Sequence, residues 1–114
     1  MVQNRNKFIG LLIGNISNAI VHEILEKAIS SEPEISIKYG KEIRNSFEIA
    51  KIYREKINPI NSTLPLKDIQ EIRDKISKKV KMELRARISL GYKNIDLSSV
   101  ETEINNVLEE LKVI

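Results

Sequence analysis

Apolar residues recur along this chain at three- and four-residue intervals, the spacing of one face of a helix, in four stretches divided by turn residues. The first stretch predicts a helix over 3–29. Projected at the helical angle, it carries Phe8, Ile9, Leu12, Ile13, Ile16, Ala19 and Ile20 on one face. Gly10, Gly14, Ser17, Val21, Leu25 and Ala28 lie on a second, nearly opposite face, with only a narrow polar strip of Asn15, Asn18, His22 and Glu26 between. The second stretch predicts a helix over 32–57 with Tyr39, Ile43, Phe47, Ala50, Tyr53 and Ile57 in line. Ser31-Glu32-Pro33-Glu34 reads as its capping box, and Asn58-Pro59 ends it, because the residue before proline is pushed out of the α region. Gly40 and the strand-like alternation from Ile35 to Tyr39 are the places where that helix would break.

The third helix is predicted over 64–90, with Thr63 as N-cap, Pro65 in the first turn and Ile69, Ile72, Ile76, Val80, Leu84 and Ile88 as its stripe. Gly91 stands where a left-handed residue closes a helix, and Tyr92 follows in position to pack back on the last turn. The fourth is predicted over 98–113. Ser98-Ser99-Val100-Glu101 reads as a capping box, and Leu97, Val100, Ile104, Val107, Leu111 and Ile114 form a short heptad-like seam. The expectation is a single all-α domain, residues 1–114, built as a four-helix bundle or a closely related small helical domain.

The doubly apolar first helix needs cover on two opposite sides. The favoured reading is an oligomer, a dimer first, in which the small-residue face Gly10, Gly14, Ser17, Val21, Leu25 and Ala28 pairs with a second copy or with a helix of another protein. The alternative is a central helix wrapped by the other three. Arg5 and Lys7 before an apolar run, with Ser17-Asn18-Ala19 after it, loosely copy a secretory leader. The run contains Gly10 and Gly14, continues as a helical pattern and falls short of the ~20 apolar residues that span a bilayer. A buried helix of a cytoplasmic protein, with no membrane partner, is the preferred reading.

Composition sharpens this picture mainly by exclusion. The chain has 114 residues and no cysteine, which removes disulfide frameworks, zinc-thiolate sites, iron–sulfur clusters and thiol nucleophiles. His22 is the single histidine. His22, Glu23 and Glu26 share one helix, but the di-metal bundles need a Glu-x-x-His motif on each of two helices. No metal site and no cofactor are expected. The four glycines are scattered, so no phosphate loop exists, and no nucleophile elbow or Ser-His-Asp arrangement is present. No catalytic residue is assigned and no enzymatic activity is expected. Isoleucine, at 20 residues, is the commonest type, as in products of AT-rich genomes, and abundant Lys and Glu without Cys also fits a thermophile.

Charge is uneven. Residues 67–93 hold nine Lys/Arg against four Asp/Glu, and residues 96–114 hold one Lys against five acids. Lys67, Lys78, Lys81 and Arg85 project to the outer face of the third helix, where they would follow phosphates in a salt-dependent grip. Asp74 interrupts that row and no aromatic interleaves with it, so bases have no stacking platform. The functional expectation is a non-enzymatic helical interaction protein: an oligomeric scaffold, adaptor or accessory subunit. The alternative is a nucleic-acid-binding accessory protein that uses the basic face of helix three.

Overall fold

A helix that is apolar nearly all round needs cover, and the rest of the chain supplies most of it. The computed structural model describes residues 2–28, 33–58 and 62–114. In it α1 (Val2–Ala28), α2 (Pro33–Ile57), α3 (Leu66–Ser89) and α4 (Val100–Glu110) alternate in direction, with a short 3-10 turn at Leu97–Ser99 leading into α4. No strand occurs among the described residues. The fold is a small all-α helical domain. α2 runs antiparallel along α1, as the Asn18–Ser46 hydrogen bond, the His22–Glu42 contact and the Phe8–Tyr53 ring stack fix in register. α3 runs parallel to α1, and α4 packs antiparallel on both. α2 rests almost wholly on α1 and makes little contact with α3 or α4.

The core follows from this arrangement. Leu12, Ile16, Ile20 and Leu25 of α1 are fully buried, as are Ile72, Ile76, Val80 and Leu84 of α3 and Val100, Ile104 and Leu108 of α4. Each such side chain contributes about 1.5–3 kcal/mol relative to leaving it in water. α2 contributes less: among its described residues only Ala50 and Ile57 are buried and apolar, with Tyr39, Phe47 and Tyr53 packed part-way against the core.

Several local expectations need correction. α2 passes through Gly40 without a break. α3 starts at Leu66, after Pro65 as N-cap; neither Thr63 nor any other side chain caps it. Its stripe ends early, since Ile88 is exposed. At α4 the proposed capping box does not form. Asp96 instead takes the Ser98 amide at 3.0 Å and caps the 3-10 turn, while Glu101 turns outward to Ser77 and Lys81. An aspartate followed by two serines offers three competing side-chain acceptors, and the one furthest upstream wins here. α4 stops at Glu110 rather than 113. The capping box at Ser31 lies outside the described residues.

Both clear helix ends are Schellman motifs. At α3, the Gly91 amide donates to Ile88 O and the Tyr92 amide to Arg87 O, with Gly91 at φ 101° and the Arg87 guanidinium over the Tyr92 ring. At α4, Lys112 takes the left-handed position at φ 63°, its amide donating to Glu109 O and the Val113 amide to Leu108 O. This turn changes the register of the tail, so Val113 is buried and Ile114 only half so.

The turn also aims the Lys112 carbonyl at Arg54. Arg54 is 1% exposed, the largest fully buried side chain among the described residues. Its Nε and Nη2 donate to Lys112 O at 3.0 and 2.7 Å, Nη2 to Ser62 O at 2.7 Å, and Nη1 to Asn58 O and Oδ1. The Leu64 amide adds a bond to Val113 O. One guanidinium thus ties the end of α2, the connection to α3 and the C-terminal tail.

Replacing Arg54 with Leu strands these carbonyls and is expected to cost about 3 kcal/mol in urea unfolding, with amide exchange protection lost first at residues 112–114. Lys112→Gly acts oppositely. It relieves a left-handed side chain that costs about 1–2 kcal/mol, partly offset by glycine's greater unfolded-state entropy, for a net gain of roughly 0.5–1 kcal/mol in the same assay.

Candidate functional site

The small-residue face of α1 is the first place to look, and most of it is not surface. Ser17, Val21 and Leu25 are buried inside the single chain; Gly14 and Ala28 are half-buried and Gly10 is exposed. α3, lying parallel on α1, packs against this face, so the six residues do not form one continuous surface. Nor do the glycines permit a close helix approach. A Cβ at Gly10 would meet nothing within 4 Å, and at Gly14 only the Lys79 ammonium, at 3.9 Å. Arg5–Ala28 is long and apolar enough to cross a membrane by length and composition, and much of that segment is packed within the bundle.

The basic face of α3 is present but thinner than its sequence suggests. Lys67, Lys78 and Arg85 are exposed. Lys81 is half-buried and lies 3.1 Å from Glu101 of α4, which also accepts from Ser77 at 2.8 Å. These two hydrogen bonds hold the Glu101 carboxyl below its ordinary range. Lys75 pairs with Glu71 one turn back. Part of the positive charge of α3 therefore serves to align α4, and the outward row reduces to three separated cations.

The larger recess lies on the other side of α1. Because α2 and α4 barely meet, a groove of about 670 Å3 runs between them over α1. Ala19, Glu23, Glu26 and Lys27 form its floor. Ile43, Arg44, Phe47 and Glu48 come from α2, and Glu103, Asn106, Val107 and Glu110 from α4. Five carboxylates face two cations across an apolar strip of Ala19, Ile43, Phe47 and Val107. Lys27 donates to Glu103 at 2.9 Å, and this bond raises the ammonium's pKa. Glu23 sits beside Glu103, which is itself largely buried. Burial first, then the neighbouring Glu103 charge, pushes the Glu23 carboxyl above the usual carboxylate range.

A smaller cleft opens between α1 and α3 around His22. His22 Nε2 lies 2.9 Å from Glu42 Oε2, and the ring stacks on Tyr39 at 5.4 Å. Among the described residues no group of three or more His, Asp or Glu side chains is placed to hold a metal.

Sequence reasoning did not find the groove. Its signal was present in Glu23 and Glu103, two carboxylates on otherwise apolar faces, but a helical projection shows a face and not the gap between two neighbours. Among the described residues the geometry places an acid-rimmed groove and a smaller polar cleft on an all-α domain. Comparison with known proteins adds no identity to that description: no family model, no curated protein and no solved structure matches the chain.

The Glu23–Glu103 contact sets a pH dependence. A carboxyl whose folded pKa is raised binds its proton more tightly in the folded state, so its contribution to stability falls as pH rises from the unfolded value through the folded one. Glu23→Gln is accordingly expected to be more stable than the parent at neutral pH, with the difference shrinking as acid protonates Glu23; thermal unfolding at a series of pH values checks it.

Proposed function

We propose that this chain is a non-enzymatic interaction protein, an adaptor or accessory subunit, that takes a cationic amphipathic helix of a partner protein into the groove between α2 and α4. The observation that carries the reading is the incomplete cover of α1. Helices laid in grooves bury an apolar face and read their partner by the charges along its rims. Here the apolar strip offers Ala19, Ile43, Phe47 and Val107, and the rims offer exposed Glu48 and Glu110 with Glu23, Glu26 and Glu103 deeper in. A helix with Lys or Arg flanking an apolar stripe complements both features, and rim charges of this kind steer association and fix register. The enclosure of Ser17, Val21 and Leu25 moves the proposed contact from the small-residue seam to this groove, and favours a different protein over a second copy as its occupant.

The test uses two designed helical peptides of equal length, one Lys/Leu and one Glu/Leu, titrated into isotopically labelled chain. The Lys/Leu peptide is expected to bind saturably, with amide shifts centred on residues 19–27, 43–48 and 103–110, and to weaken when salt shortens the screening length to about 3 Å at 1 M. The variant Glu48→Lys/Glu110→Lys changes only exposed positions and is expected to lose about tenfold in affinity, or 1.4 kcal/mol. Equal binding of both peptides, or shifts centred on α3, would overturn the reading.

A further inference from the structure

The cleft between α1 and α3, about 190 Å3 in volume, is lined by two residues with a buried polar atom that finds no partner among the described residues. Lys79, Glu83 and Arg87 stand one turn apart on α3 and face Gly14, Ser17 and His22 of α1. The Lys79 ammonium lies over Gly14, 3.9 Å from where a Cβ would stand. Ser17 is 2% exposed, and its Oγ has no hydrogen-bond partner among the described residues. His22 Nδ1 is likewise buried without a partner. Two such orphaned atoms lining one cleft point to a ligand, since buried polar groups are otherwise paired.

The protonation of His22 narrows the ligand. Its Nε2 faces Glu42 at 2.9 Å, so the ring proton sits there and Nδ1 presents a lone pair. Burial first lowers the imidazole pKa; Glu42 of α2 opposes this, and Arg87 of α3 lowers it further. The neutral ring therefore requires a donor at Nδ1, while Lys79, Arg87 and the Ser17 hydroxyl supply donors around the same space. A carboxylate would satisfy the donors and leave Nδ1 facing oxygen lone pairs. A cation would oppose Lys79 and Arg87.

We propose that this cleft binds a small phosphate that retains one acidic proton: its P–OH donates to His22 Nδ1, and its ionised oxygens accept from Lys79, Arg87 and Ser17. The cleft has room for about six waters at ~30 Å3 each, enough for a phosphoryl group. Glu83, the carboxylate in the lining, is exposed and has to swing away from Lys79 and Arg87 for the anion to enter.

Calorimetry and the His22 imidazole nitrogen signals test this with inorganic phosphate, sulfate and glycerol phosphate. Phosphate is expected to bind saturably and to move the Nδ1 signal, with sulfate, which carries no proton at neutral pH, at least about tenfold weaker. Inorganic phosphate keeps a proton throughout the neutral range. A monoester loses its last proton near pH 6, so glycerol phosphate binding should fall about tenfold per pH unit above that while inorganic phosphate holds steady. Lys79→Gln, at an exposed position, and Ser17→Ala, a near-isosteric change checked for an intact melting transition, should each weaken phosphate by about tenfold or more. Equal affinity for sulfate and phosphate, an unmoved Nδ1 signal at millimolar phosphate, or binding indifferent to both substitutions would overturn the proposal.

Discussion

The structure is organised by the need to keep α1 out of water. With apolar residues on two opposite faces, α1 has no side that solvent can take entirely, and the rest of the chain must be laid around it. Three helices are available and one, α4, is only 11 residues long. α2 takes one side, α3 and α4 the other, and the two gaps between these sides become the groove and the neighbourhood of the His22 cleft. Both recesses are therefore consequences of the same shortage of cover. They lie where the polar strip of α1 and its stray carboxylate, Glu23, come closest to the surface.

Charge decides how the covering helices sit. Burial is indifferent to small slides along a helix axis, because one isoleucine packs much like the next. The ion pairs are not. Arg5 meets Asp68, Lys27 meets Glu103, and Lys81 meets Glu101, each joining two different helices. Each pair has at least one partner open to solvent and adds little stability individually, but each is satisfied in only one register. The acidic α4 is matched in this way to the basic flank of α3, so the opposite charges of the last two helices act largely inside the fold.

The four helices were legible from periodicity because their apolar residues are dense and their breakers few. Leu12, Ile16 and Ile20, or Ile72 through Leu84, could hardly bury in any other secondary structure. The placement of α1 was legible only as a choice. Its second face required a cover, and no pattern in a single sequence distinguishes a cover supplied by the same chain from one supplied by another. The caps failed for a different reason: Asp96, Ser98 and Ser99 are equally good acceptors on paper, and tertiary placement of Glu101 beside Ser77 and Lys81 decides among them. Arg54 was invisible for the plainest reason. An arginine on a helix reads as solvated until the backbone carbonyls of a distant segment are brought to it.

That arginine has a consequence for how the molecule comes into being. Its acceptors include a carbonyl at Lys112, 58 positions further along the chain. During synthesis α1, α2 and α3 emerge from the ribosome with this guanidinium still lacking its terminal partner and with the α1 face meant for α4 still bare. Closure waits until the last residues of this segment have cleared the exit tunnel. The bond that ties α2 to the C-terminal turn is thereby among the last of the described long-range contacts to become possible.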